Sequence, residues 1–303
     1  MPLPAEYRPT LTSTVDAMVA LDGWGAGSSG AAAGVIDAQG TEWILSRFDG
    51  WHAAPPPRTS LTDRPGEHGA FDGPAFLTPR VLAVEGTAIA VDLASALRAR
   101  DIVASVCSDD ALLYTLQVSE PGRPTRTIGV RRSGETKTSP VHGNAFSWSL
   151  LLVAPDPRRY GPAQSQLVGL PQPSGGLLFP LVFPLVFGAG QSGGQMTLTN
   201  SGTRATWPTW QILGPVTGPF VTDTGNTGKQ LAFDPTFSVP AGQTVTVDTD
   251  AKTVLLAGVS RRDRLFTAQW FPLTPGSTVI AFGSASGFDA AAKLTGTWKD
   301  AWT

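Results

Sequence analysis

Short β-rich runs, each broken by glycine or proline, recur along almost the whole chain, and they limit the folds open to it more than any other feature. The first half carries "TEWILSRF" (41–48), "RVLAVEG" (80–86), "LLYTLQVSE" (112–120), "TRTIGVRR" (125–132) and "FSWSLLLVAP" (146–155). The second half carries "GQMTLTN" (194–200), "WPTWQILG" (207–214), "GKQLAFD" (228–234), "TVTVDTD" (244–250), "KTVLLAG" (252–258) and "STVIAFG" (277–283), and "GSASGFDAAAKLTGTWKDAW" (283–302) reads as a last turn and strand. Proline and glycine weaken helices and mark turns. With 34 glycines and 26 prolines among 303 residues, long helices are excluded and a turn can follow every strand. Many short strands with turns roughly every eight to twelve residues indicate a sandwich or jelly roll.

One helix is expected inside this pattern, over "VDLASALRARDIVASVCS" (91–108). Asp92 can cap its first turn. Leu93, Leu97, Val103 and Val106 recur at near-helical spacing, which predicts the buried face, although Arg100 interrupts the stripe. The tract "DPRRYGPAQSQLVGLPQPSGG" (156–176) is rich in proline and glycine with little periodicity. It divides the chain into residues 1–165 and 166–303, each long enough to bury a core.

Apolar residues make up 41% of the chain and charged ones 15%, against roughly 25% charged in ordinary soluble domains. The chain is therefore globular, and its low charge suits large protein contacts. A net charge of −2 argues against a nucleic-acid footprint, which needs a basic excess. The run Arg261-Arg262-Asp263-Arg264 reads as a solvated loop. Cys107 is the single cysteine. It can form no internal disulfide and no thiolate metal cluster, and its apolar neighbours make it a packing residue. The start "MPLPAEYRPTLTST" has no apolar signal core, so the chain is expected to be made in a cytoplasm.

The least polar stretch is "GGLLFPLVFPLVFGAG" (175–190). A spanning helix needs roughly 20 apolar residues; this run is shorter and is interrupted by Pro180 and Pro184. Each proline pushes the residue before it into extended geometry. An extended strap is expected, covered by its own chain or a partner, with Phe179, Phe183 and Phe187 buried.

Motifs for chemistry are weak. Two matches to G-x-G-x-x-G, Gly25-Gly27-Gly30 and Gly188-Gly190-Gly193, lack the strand before and helix after that phosphate binding requires. Ser192 fits G-x-S-x-G, but a strand pattern and no helix follows. His52, His68 and His142 are far apart and lack helical zinc-pair spacing. No carboxylate pair stands out for glycoside hydrolysis. Trp207 and Trp210 form the obvious pair for stacking on a sugar, but they begin a strand, where a core or rim role is the better reading. Trp298 and Trp302 read as packing residues. No catalytic, cofactor-binding or metal-binding residue is assigned, no cofactor is expected, and a carbohydrate site is left open.

The strap has a further meaning. A glycine pair and then Leu-x-Phe-Pro-x-x-Phe-Pro-x-x-Phe, after a D-P-R-R-Y segment, resembles the distal tail proteins of long-tailed phages. The minor tail proteins of phages infecting actinobacteria look most alike. "DRPGEHGAFDGPAF" (63–76) resembles that family's proline-glycine-x-histidine-glycine loop, "RVLAVEGTAIAVDLASALRARD" (80–101) its strand–turn–helix passage, "FSWSLLLVAPDPRRYG" (146–161) the strand closing its first domain, and "FPLTPGSTVIAF" (271–282) part of its second domain. The resemblance implies a mainly β chain, in which a β-barrel-like, tail-tube-related domain with one helix precedes a galectin-like β-sandwich (jelly roll). It implies a structural virion protein and no enzyme: a homohexamer ring at the distal end of the tail. The ring would join the tail tube protein to the tip hub, baseplate and tape-measure proteins, with DNA passing through its channel as cargo and no membrane segment. The rival expectations are a carbohydrate- or receptor-binding tail-tip protein, with a possible glycan on the second domain, and a cell-wall enzyme.

Overall fold

The structure, a computed structural model, describes residues 8–12, 35–109, 111–120, 122–172, 194–225 and 228–303. The strap, both glycine motifs and Ser192 lie outside these residues. The fold is mainly β, with a single α-helix among the described residues and a sheet curled into a half-barrel. Two compact units divide the chain, residues 1–162 with Thr303 and residues 163–302.

The first unit runs β1 (Arg8–Thr12), β2 (Val35–Ile36), β3 (Glu42–Asp49), β4 (Pro57–Arg58), β5 (Thr62–Asp63), β6 (Ala70–Phe71), β7 (Phe76–Leu77), β8 (Arg80–Ile89), α1 (Leu93–Ser105), β9 (Tyr114–Ser119), β10 (Arg126–Arg132), β11 (Lys137–His142) and β12 (Ala145–Ala154), and the boundary after residue 162 falls within β13 (Arg159–Gly169). β2, β3, β8 and β12 pair in that order, all antiparallel. Beyond β12 lie β11 and the end of β10, and β9 and β1 follow β10. The longest ladder runs from Ala145↔Ile89 to Ala154↔Arg80.

Strict alternation drives this pairing. Leu82, Val84, Gly86 and Ala88 of β8 and Phe146, Trp148, Leu150 and Leu152 of β12 are buried, and the residues that alternate with them are not. Period-two apolar patterning puts one face of each strand in the core. Gly86 is required there: it sits opposite Trp148, and a Cβ on it would fall 2.2 Å from the indole Cζ2.

Helix α1 begins as expected, with Asp92 Oδ1 accepting from the Ser95 amide at 2.7 Å. Its buried face keeps Val103 and Val106 of the expected stripe but not the two leucines. Ala96, Ala99 and Val103 face the core, while Leu93 and Leu97 are 65% and 52% exposed. Small alanines let the helix lie close on the sheet, so the bulkier leucines take the outer side. Arg100 lies 5.2 Å over the Phe146 ring, which accommodates the cation that broke the pattern. Cys107 is buried, and burial pushes its thiol pKa up to about 12.

The second unit is a two-layer sandwich. One sheet orders β25 (Lys293–Trp302), β15 (Thr209–Leu213), β20 (Thr244–Asp248), β21 (Thr253–Leu256) and β22 (Val259–Ser260). The other orders β14 (Gln195–Asn200), β24 (Gly276–Ser284), β17 (Pro219–Asp223), β18 (Gln230–Phe233) and β23 (Leu265–Ala268). The short pair β16 (Val216–Thr217) and β19 (Ser238–Val239) stands apart. The inner faces meet in one core, with Trp210, Ile212, Val245 and Leu294 from the first sheet and Leu198, Val221, Phe233 and Phe282 from the second. Alternating inward residues on two packed sheets are what the sequence pattern requires.

The tract at 156–176 does not begin as a loose pause. Most of its described part is β13, whose glycine and proline content hides an extended conformation. β11, β17 and β23 were likewise not expected from the sequence.

Candidate assembly site

The D-P-R-R-Y segment and Arg80 of β8 together build a densely bonded polar cluster in the first unit. Arg80 is 1% exposed. Its Nη1 donates to the carbonyls of Gly50 (2.6 Å), Trp51 (3.1 Å) and Ala53 (2.5 Å), and its Nε to that of Pro157 (3.0 Å). Burial pulls its pKa below the ordinary arginine value. A planar guanidinium with several donors can join separate carbonyls in this way.

Each residue of the segment has a contact. Asp156 accepts from Arg158 Nε at 2.9 Å and from Tyr160 Oη at 2.5 Å. Burial pushes its carboxyl upward, but these hydrogen bonds and the Arg158 charge outweigh it, so its pKa lies below the usual carboxylate value. Arg158 lies 5.4 Å over the Tyr160 ring. Arg159 lies 5.2 Å over the indole of fully buried Trp51, and its Nη2 donates to the Thr303 carbonyl. Trp51 stacks on Phe48 at 6.0 Å. Gly50 has φ +84, and a Cβ there would meet the Val81 carbonyl at 2.0 Å.

This cluster is the root of an arm. Between Pro55 and Arg80 no residue is buried. The chain runs out and back through two short ladders, β4 with β7 and β5 with β6, and Pro65, Gly66, Glu67, His68 and Gly69 lie at the turn. Leu61, Phe71 and Phe76 are 61%, 56% and 60% exposed on it.

Exposed apolar side chains also occur at the far end of the β3–β8 ladder and, on the other side of the sheet, on α1. Ile36, Glu42 and Ile89 are cross-strand partners on one face. Ile36, Ile89, Val91, Leu93 and Leu97 are all exposed. In the second unit an open cavity of about 460 Å³ is lined by Leu170, Pro171, Phe220 and Phe288 over Gly283, without a titratable side chain.

The residues singled out in the sequence do not converge. His52 pairs with Glu120 at 3.4 Å, Glu120 also faces Arg126 at 3.9 Å, and His68 and His142 are exposed on the arm and on β11. No metal-binding group of side chains occurs among the described residues. No helix among them is long and apolar enough to cross a membrane. Trp210 is fully buried and Trp207 half-buried, so the two do not form an exposed platform for a sugar. Trp298 is a core residue whose Nε1 donates to the Thr199 carbonyl at 3.0 Å, and Trp302 is half-buried. The 261–264 run is a short 3-10 turn with Arg262 5.7 Å over Trp270. Sequence reasoning missed Arg80 and the apolar side chains of the arm; the one available signal was the proline-glycine loop at the arm's turn.

Residues 201–302 match the family described as the siphovirus-type tail component, C-terminal domain. Among solved structures, the Dit protein of phage SPP1 aligns at a TM-score of 0.65 and 14% identity, covering 97% of this chain and 99% of that one. It is described as a paradigm of the hub adsorption apparatus in phages infecting Gram-positive bacteria. Chains from two structures of the phage P2 baseplate in its activated conformation, one with calcium and one with strontium, align at TM-scores of 0.46 and 0.48 and identities of 10% and 13%; each alignment covers 96% of this chain and 97% of that one. No curated protein matches the sequence.

Proposed function

We propose that this chain, a member of the distal tail protein family by the match over its second unit and by a fold shared along its length, is a ring-forming hub at the distal end of a phage tail. Copies of it, six by analogy with the family, close into a ring that joins the tail tube to the tip or baseplate and leaves a channel for DNA. The work is assembly, and no turnover belongs to it. The observation that carries this reading is the whole-chain fold likeness to a hub protein, over 97% of this chain. The fixed arm and the exposed apolar side chains of α1 support it, since closed rings need unlike surfaces that meet head to tail.

The test is a deletion of the gene in the phage that carries it. Heads without tails should accumulate, because a distal ring is where tube growth is expected to start. Complete tails that fail to adsorb would instead make the protein a receptor binder. Purified protein should leave purified peptidoglycan intact; release of soluble fragments would make it a cell-wall enzyme.

A further inference from the structure

We infer that the open apolar cavity of the second unit is the seat of this chain's own strap, with the row Phe179, Leu181, Phe183, Leu185 and Phe187 laid against Leu170, Pro171, Phe220 and Phe288. The contact lies within one chain and needs no ring.

The cavity suits aromatic side chains. Its volume of about 460 Å³ compares with the roughly 150 Å³ that hold one benzene in an engineered apolar cavity, so roughly two or three phenyl rings can share it. Gly283 makes its floor as the register partner of Phe220, and a Cβ there would fall 2.1 Å from Phe220 Cζ. Phe288 is 40% exposed at its side. No lining side chain carries a charge that the uncharged strap would strand.

Both ends of the strap's segment meet at this cavity. The described chain stops at Gln172, which with Pro171 lines the cavity, and resumes at Gly194. A Cβ on Gly194 would fall 2.7 Å from Pro171 Cδ, and the Phe282 amide, next to Gly283, donates to the Gly194 carbonyl at 2.6 Å. The 21 residues between, 173–193, therefore begin and end at one rim. Phe179 follows Gln172 by seven residues and Phe187 precedes Gly194 by seven, a reach of at most about 25 Å. A segment tethered so closely at both ends has an effective concentration on the order of millimolar, which favours it over a free partner.

The strap's sequence offers the cavity one bulky face. Side chains alternate along an extended chain, so its phenylalanines share a face with Leu181 and Leu185, and Pro180, Val182, Pro184 and Val186 share the other. Backbone donors alternate as well, and both prolines lack theirs on the same edge, which cannot take another strand. Such a run closes a layer, and its bulky face needs an apolar seat.

The experiment uses the full chain with Ser284→Cys at the cavity rim, Cys107 being buried. Labelling by a bulky maleimide under native conditions should be about tenfold slower than in the same chain carrying Phe179→Ser, Phe183→Ser and Phe187→Ser together; tenfold corresponds to about 1.4 kcal/mol of occupancy. A second set combines Ser284→Cys with Phe179→Cys, Phe183→Cys or Phe187→Cys in turn and adds a short bis-maleimide. At least one pair should cross-link within a single chain, at monomer mass in a denaturing gel, with the two peptides joined in mass spectrometry. Two of the three phenylalanines remain in each pair, so this second set stands even if the triple variant unfolds. Equal labelling rates with no cross-link overturn the inference. Cross-links found only between chains overturn it too, and give the cavity to a second copy's strap. So does Ser284→Cys protein that floats with phosphatidylcholine vesicles while its rim cysteine reacts as fast as in the triple variant, which would give the strap to lipid. The ring reading is untouched by any of these results.

Discussion

Arg80 donates to four backbone carbonyls without a carboxylate partner, so its value is the number of acceptors it satisfies. Each buried acceptor left stranded costs roughly 1–3 kcal/mol. Arg80→Ala should therefore lose on the order of 3 kcal/mol or more in urea unfolding of the first unit, and Arg80→Lys should recover only part, because one ammonium cannot span the same carbonyls. Asp156 gives a pH signature. Its folded pKa is depressed, so its contribution is complete above the ordinary aspartate value of about 3.9 and is lost as pH falls through the lower folded value. Asp156→Asn should flatten the fall in the urea midpoint below about pH 4. An unchanged slope would mean the Arg158 and Tyr160 contacts do not hold in solution. The D-P-R-R-Y residues were visible in the sequence as a family resemblance, but their roles were not. Pro157 and Trp51 meet Arg80 and Arg159 only once the chain has folded.

Among the elements, the long strands were legible because alternation survives in β3, β8, β12 and β24, where one face is core. The arm strands were not, since two-residue ladders without a buried face carry no periodicity. β13 was masked by its own glycines and proline. The helix was expected in nearly the right place, and Val103 and Val106 are buried as expected, but the first turns face the core with alanines instead of Leu93 and Leu97, because leucine outranks alanine on any apolar scale while packing distance favoured alanine. This gives a paired test by thermal or urea unfolding. Val103→Ala removes a fully buried side chain and should cost about 2–3 kcal/mol. Leu97→Ala, at an exposed site, should stay within about 0.5 kcal/mol of wild type. Replacing residues 57–77 by a short turn should leave the melting temperature of dilute protein unchanged, because the arm contributes nothing to the core; a large loss would show that it does.

For the whole molecule, the two cores share no residue, and the chain splits into two compact units. We propose that residues 1–165 fold without the rest. Calorimetry of the full chain should then resolve two transitions, one of which the 1–165 fragment reproduces. A single transition for the full chain with an unfolded fragment would refute independence. The sequence disclosed two strand-rich halves and a family. It could not disclose where the apolar surface is left uncovered, because Leu61, Phe71, Leu93 and Leu97 have the composition of core residues and only the fold places them outside.

The root of the arm also imposes an order in time. Arg80 waits for Pro157, 77 residues later in the chain, before its set of acceptors is complete. On a translating ribosome the hairpin emerges early, but its anchorage closes only after nearly all of the first unit has left the exit tunnel. The carbonyls of Gly50, Trp51 and Ala53 precede Arg80 in the chain, so it is only this last acceptor that comes late.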